Sequence, residues 1–243
     1  MIEFNEYGLC FIPDGIDLND RQTKAPTALV LPSLFEEYRC SHRVIYELCK
    51  TLAERGVIAV FPELTGLGNN SKPLIDADLK VWHTELTKTN DFLRGYSTRH
   101  TIIPFRAGAF LSAGLKADHY LLWHPVINGQ KFLRQLRVRR EIQNKITGDV
   151  VLFAEGDIEG QIASRSLRDD LTDIPFTIPG EGEITIAQQS AGSTMFTEYM
   201  QILSDNKDRK IKTKIIVADS FWYPHPPTDY SFVVKHLVEE VVR

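Results

Sequence analysis

The 243-residue chain predicts an α/β fold with a mostly parallel central sheet and helices on both faces, and three observations carry that expectation. Runs such as Ala28-Leu29-Val30-Leu31, Val57-Ile58-Ala59-Val60-Phe61 and Tyr120-Leu121-Leu122-Trp123 are continuously apolar, as strands buried on both faces must be. Between them lie stretches with helical periodicity. At 43% hydrophobic and 25% charged residues, the chain can bury one sizeable core without metal or disulfide staples.

The elements follow in order. The first twenty or so residues, with Gly8-Leu9-Cys10-Phe11-Ile12 and a Pro13-Asp14-Gly15 turn, read as an antiparallel hairpin added to the sheet edge. Ala28 to Leu31, closed by Pro32, is the first core strand. Ser41 or His42 opens a helix with an apolar face of Val44, Ile45, Leu48 and Leu52, and Gly56 ends it. Val57 to Phe61 is the next strand, and Asp78 N-caps a helix carrying Leu79, Trp82, Leu86, Phe92 and Leu93. Thr101 to Ile103 is the third strand, followed by a small-residue helix over 107–116 and the strand of Tyr120 to Trp123.

From about 127 to 183 the alternation stops. Phe132, Leu133, Leu136 and Val138 mark a helix whose other face is Lys131, Arg134, Arg137, Arg139 and Arg140. Irregular Gly-, Asp- and Pro-containing sequence follows. Excursions of this kind between core strands form caps over sites, so 1–243 reads as one domain with 127–183 a cap-like insertion. The core resumes with Ile184 to Ala187, a helix through Met195, Phe196, Tyr199, Met200 and Leu203, the strand Ile215 to Ala218, and a helix with Phe232, Val233, Leu237 and Val241. The basic run Lys207 to Lys214 reads as a solvated turn.

A net charge of −4 offers no general attraction for nucleic acid or an anionic membrane. Cys10, Cys40 and Cys49 form no CxxC pair, and their odd number, without a signal-like apolar run, reads as reduced thiols in a cytoplasm. No stretch approaches the roughly 18 apolar residues that cross a bilayer. The histidines lack the paired spacing of a metal site, and no cofactor motif is complete.

The most informative stretch is Thr101-Ile102-Ile103-Pro104-Phe105-Arg106-Ala107-Gly108. A strand, a tight turn and a small-residue helix are the layout of a hydrolase nucleophile elbow. The position that should carry Ser, Cys or Asp carries Arg106. A guanidinium stays protonated and presents only donors, so it cannot attack a carbonyl. Earlier in the chain, Phe61-Pro62-Glu63-Leu64-Thr65-Gly66-Leu67-Gly68-Asn69-Asn70-Ser71 puts a GxG turn directly after a buried strand. It lacks the third, helix-opening glycine of a nucleotide cradle. The string is similar instead to the PxLxGxGxS loop of α/β-hydrolases, where it is structural.

Three further strings sharpen the likeness: Leu31-Pro32-Ser33-Leu34-Phe35-Glu36-Glu37 with Ser41-His42-Arg43, Leu121-Leu122-Trp123-His124-Pro125-Val126 with Gly129, Phe132, Leu133, Gln135 and Arg139, and Phe221-Trp222. Together they resemble the exosortase A system-associated hydrolases of the second type, a branch of the α/β-hydrolase superfamily in which the elbow is often altered. The resemblance implies an α/β-hydrolase-like fold, a bacterial cytoplasm, and a genomic tie to exopolysaccharide and protein-sorting systems. It supplies no substrate.

Residue by residue, the hydrolase machinery carries over with gaps. Arg106 stands at the nucleophile position. The acid would follow the strand at 184–189, where Gln188, Gln189 and Ser190 stand. The histidine would follow the strand at 215–218, where His225 is the nearby candidate; set among Pro224, Pro226 and Pro227, it suits a loop-stiffening or surface role better than catalysis. The oxyanion loop would be Pro32 to Glu37, but Glu36 and Glu37 put carboxylates where donors are wanted. They suit Arg106: an arginine at a strand tip pairs naturally with Glu36 or Glu37. The pair either locks two loops or forms an anion-binding pocket, with Ser33 and His124 beside it; His42, Trp82 and Trp123 are further cleft candidates, the tryptophans reading better as packing.

Two function classes follow. One is a degenerate hydrolase that binds a small anionic or acyl metabolite, or a protein partner of an exopolysaccharide or sorting system, without turnover. The other is an active esterase, thioesterase or acyltransferase with an unorthodox nucleophile drawn from Ser33, Ser41, Cys40 and Ser190. The elbow favours the first.

Overall fold

A computed structural model describes residues 1–20, 22–147, 156–158, 160–223 and 229–242. Eight strands form one sheet: β1 (Ile2–Asn5), β2 (Gly8–Phe11), β3 (Ala25–Leu31), β4 (Ile58–Phe61), β5 (Ser97–Pro104), β6 (His119–Trp123), β9 (Glu183–Ser190) and β10 (Ile211–Val217), in the spatial order β1-β2-β4-β3-β5-β6-β9-β10. β7 (Asp157–Ile158) and β8 (Gln161–Ile162) make a separate small hairpin. From β4 to β10 every pairing is parallel, while β1 and β2 are antiparallel to each other and β2 to β4. The mostly parallel sheet and the edge hairpin both match the sequence reading.

Burial explains the apolar runs: β4 and β6 are buried along their whole length. Among the described residues the helices are α1 (Glu36–Glu54), α2 (Leu79–Tyr96), α3 (Gly129–Thr147), α4 (Arg165–Asp173), α5 (Thr197–Asp205) and α6 (Ser231–Val241), with α1 and α2 packed on the sheet and α3 and α4 on each other. The chain runs from β3 through α1 to β4 in one direction and from β4 through α2 back to β5 in the other. Right-handed crossovers therefore put α1 and α2 on opposite faces. α1 buries Val44, Ile45, Leu48 and Leu52 as its periodicity predicts, and Asp78 caps α2 by accepting from the Val81 amide. Among the described residues no helix is long and apolar enough to cross a membrane.

Four local expectations fail for identifiable reasons. The edge hairpin turns at Glu6-Tyr7, between Asn5 and Gly8, and not at Pro13-Asp14-Gly15. α1 starts at Glu36 instead of Ser41 or His42, because Phe35 breaks the chain there with a positive φ and no side-chain cap is used. The stretch after β5 is a 3-10 turn over Arg106–Ser112, not a helix over 107–116. All seven of its residues are buried, and a Cβ on Gly108 would sit 2.5 Å from the Pro32 carbonyl oxygen, so this turn is wedged against the end of β3. Last, the basic run at 207–214 is only partly a turn: Ile211 to Lys214 lie in β10, and the Lys214 ammonium pairs with Glu240 at 2.9 Å.

The segment between β6 and β9 contains α3, the β7/β8 hairpin and α4. α3 buries Phe132 and Leu136, with Leu133 half-buried, whereas Val138 is exposed. α3 also borders the cleft at the carboxyl end of the sheet.

Candidate functional site

Three loops leave the carboxyl ends of β3, β5 and β6, and each contains one non-glycine residue forced into positive φ: Phe35 (57°), Arg106 (52°) and His124 (45°). These are the described residues other than glycine with that geometry. A side chain in this region costs on the order of 1–3 kcal/mol and persists where the surroundings impose it. The surroundings are identifiable: the Phe105 amide donates to the Leu31 carbonyl (3.0 Å), the Val126 amide to the Arg106 carbonyl (3.0 Å), and the His124 amide to the Ala187 carbonyl (2.7 Å). Arg106 therefore sits at a strained turn off the end of β5, followed by a 3-10 turn and not by the helix of a hydrolase elbow.

Arg106 is met by Glu37 alone of the two glutamates. Its Nε donates to Oε2 (3.1 Å) and its Nη2 to Oε1 (2.9 Å), a bidentate pair. Ser33 Oγ donates to Oε2 (2.7 Å) and Arg139 Nη2 to Oε1 (3.1 Å), so a carboxylate with no solvent exposure holds four hydrogen bonds. Burial opposes the Arg106 charge, but the adjacent Glu37 outweighs it and the guanidinium pKa is raised. Glu36 is not a partner of Arg106; it accepts from Arg39 on the next turn of α1. Consecutive helical residues diverge by about 100°, so only one of the two can face the elbow.

The guanidinium plane rests on Trp222, with Cζ 5.0 Å from the ring centroid, and the His124 ring lies 4.8 Å from the same indole. His124 Nδ1 accepts the Gln189 amide (3.1 Å), which fixes the neutral tautomer with its proton on Nε2. Burial, and then the neighbouring Arg106, push the imidazole pKa down to about 3. Two donors remain. Arg106 Nη1 and His124 Nε2 have no hydrogen-bond partner among the described residues, and neither is among the atoms sealed in the interior. Both residues line a cleft of about 280 Å³ with Gln135, Gln189, Trp222 and Tyr199.

The other expected site residues separate. Gln188 and Gln189, at the acid position, are buried amides: Gln188 Oε1 accepts the Phe196 amide, and Gln189 bridges Trp123 Nε1 and the Asp219 carbonyl. His225 lies outside the described residues. His42 packs on Tyr38 and Phe61, away from the cleft, Trp82 donates to the Thr65 carbonyl in the core, and Trp123 is fully buried. Of the alternative nucleophiles, Ser33 is fully buried against Glu37 and Ser41 donates to the Glu37 carbonyl of its own helix. Ser190 donates to the Gly192 carbonyl, and the Cys40 thiol is pushed up to about 12 by burial and by Glu36. Among the described residues no group of three or more His, Cys, Asp or Glu is placed to hold a metal.

Sequence reasoning missed the inward turn of Arg139, which it placed on the basic face of α3 opposite the apolar stripe, and the role of Trp222 as the floor under Arg106. Periodicity carries no signal for either; Arg139 meets Glu37 across 102 positions of sequence.

No family model and no curated protein matches the sequence. In three dimensions the chain is similar to Est1E from Butyrivibrio proteoclasticus, solved with ferulic acid bound, at a TM-score of 0.56 and 14% identity over 100% of this chain and 96% of that one. It is also similar to a structure from the study of LipS and LipT, metagenome-derived lipolytic enzymes (0.58, 11%, 90% and 95%), and to mouse alpha/beta hydrolase domain-containing protein 10 (0.53, 12%, 90% and 89%). The fold is that of the α/β-hydrolases.

Proposed function

We propose that the protein is a degenerate α/β-hydrolase that binds a small anionic or acyl ligand in the Arg106 cleft without covalent turnover. One observation carries this reading: the strained turns after β5 and β6 present two donors without a hydrogen-bond partner among the described residues, Arg106 Nη1 and neutral His124 Nε2, and no nucleophile. Such a pair accepts a carboxylate head, with Trp222 as an apolar wall. Bound as it is to Glu37, the arginine has a fixed orientation, which lowers the ordering cost of binding. The segment 127–183 acts as the cap, α3 contributing Gln135 and Lys131 to the rim. The likeness of the Leu121 to Val126 and Leu31 to Glu37 strings to exosortase-associated hydrolases supports a bacterial cytoplasmic setting beside an exopolysaccharide or sorting system, where the bound species is a metabolite or a partner's acidic group.

Two assays test this. A fluorophosphonate probe should add no mass to the intact protein, short p-nitrophenyl esters should not be hydrolysed, and Arg106→Ser alone should not change either result, because a glutamine stands at the acid position. Stoichiometric labelling of Ser33, Ser41 or Ser190 would replace this reading with that of an active esterase. In parallel, butyrate should raise the melting temperature of the wild type with the logarithm of its concentration, and should not do so for Arg106→Gln.

A further inference from the structure

The cleft does not end at its own walls. A second, more open groove of about 520 Å³ runs along α3 and shares Lys131, Gln135 and Tyr223 with it. The floor of the groove is apolar: Val138 and Ile142 stand one helical turn apart and are 43% and 52% exposed. Exposed aliphatic side chains in register on a helix that otherwise carries Lys131, Arg134 and Arg137 are unexplained by core packing, because α3 faces the core with Phe132 and Leu136. At the junction of groove and cleft the Tyr223 ring is held under the Arg139 guanidinium, with Cζ 4.8 Å from the centroid, and Arg139 in turn contacts Glu37.

We infer that cleft and groove are the two halves of one site, and that its ligand is a fatty carboxylate whose head meets Arg106 and His124 while its chain lies along Val138, Ile142 and Tyr223. The inference rests on the anion-binding reading of the cleft and adds the ligand's class. Three features select it. A cleft of about 280 Å³ takes on the order of nine groups of about 30 Å³ each, head included, so a dodecanoyl chain must leave through the shared border. The groove it enters has an aliphatic floor, which rewards methylenes and not sugars or nucleotides. The head position offers one guanidinium edge, already shared with Glu37, and one neutral imidazole donor, which fits a planar monoanion better than a dianionic phosphate. Lys131 and Arg134 also line the groove and give it a cationic rim.

The chain-length dependence of binding decides the matter. Sodium butyrate, octanoate and dodecanoate, each below its micellar concentration, would be titrated calorimetrically into the wild type, Arg106→Gln, and the exposed double variant Val138→Glu with Ile142→Glu. In an open groove each methylene gains about half its full burial value, so dodecanoate should bind roughly 15-fold tighter than octanoate. The double variant should bind butyrate like the wild type and lose that increment. Arg106→Gln should weaken every member of the series. Affinities independent of chain length, or an increment untouched by the two glutamates, would overturn the groove while leaving the anion pocket intact; failure of every carboxylate to bind would remove both. Dodecanoate binding that survives in Arg106→Gln, together with sedimentation on vesicles of anionic phospholipid that the double variant abolishes, would make α3 a membrane-facing surface and contradict the inference. The glutamates sit on exposed positions, so their effect is readable even if Arg106→Gln fails to fold.

Discussion

Two loops flank β3 at the same end of the sheet, one after β4 and one after β5, and they use their polar atoms in opposite ways. In the loop after β4, Glu63 is consumed locally: its carboxylate accepts from the Asn69 amide (2.7 Å), the Asn69 side chain and Tyr38 Oη (3.1 Å), while its carbonyl accepts from Asn70 Nδ2 (3.0 Å). A Cβ on Gly68, which sits at φ +62°, would collide with that carboxylate, so the loop closes on itself. In the loop after β5, Arg106 spends two of its five N–H donors, one on Nε and one on Nη2, on anchoring to Glu37 and keeps Nη1 without a partner among the described residues beside His124. A glycine-containing turn after a buried strand is thus no guide to function by itself. What separates a structural loop from a binding loop is whether its donors and acceptors are internally paired.

The contrast can be broken first at the ion pair. Arg106→Ala leaves Glu37 buried with Ser33 and Arg139 as its remaining partners, and should cost about 3 kcal/mol in urea unfolding. An unchanged midpoint would mean that the arginine is no anchor. A Lys131→Ala change at the exposed pair with Glu198 gives the surface reference, expected within about 0.5 kcal/mol of wild type.

A second, smaller effect is pH-dependent. The His124 pKa is held near 3 in the fold against about 6.5 unfolded, so the unfolded chain binds the extra proton between these values. Its contribution therefore costs no stability above pH 6.5 and progressively destabilises as pH falls toward 3. The slope of stability against pH between 6 and 4 should be steeper in the wild type than in His124→Gln by on the order of 1 kcal/mol per pH unit. Equal slopes would show that the imidazole is not held neutral. Glu63→Gln, in the self-paired loop, should cost about 1 kcal/mol and leave butyrate affinity untouched. A loss of affinity there would erase the distinction between the loops.

The sheet was readable in the sequence because β4 and β6 are buried on both faces, and such strands must be apolar throughout. The tight turn after β5 was readable for a related reason, a Gly108 where two backbones touch, whereas the helix expected to follow it is a 3-10 turn. The choice of Glu37 over Glu36 was not, since it depends on the rotation of α1 about its axis, which Phe35 sets by an unusual backbone angle that no residue preference announces. Nor was Arg139: a long side chain on the margin of a helix can point to water or reach inward, and the pattern of α3 is the same in both cases. His124 lay within the string that drew attention, but its unengaged Nε2 follows from a hydrogen bond to Gln189 made across two strands.

The central claim, that the elbow is a receptor for an anion, is tested most directly at the His124 imidazole by nitrogen-proton NMR, with the resonance assigned by its loss in His124→Gln. At pH 7 the ring should be neutral with its proton on Nε2, and that resonance should shift saturably as butyrate is added, with no such shift in Arg106→Gln. A proton on Nδ1, titration near pH 6.5, or an Nε2 resonance indifferent to butyrate would contradict it.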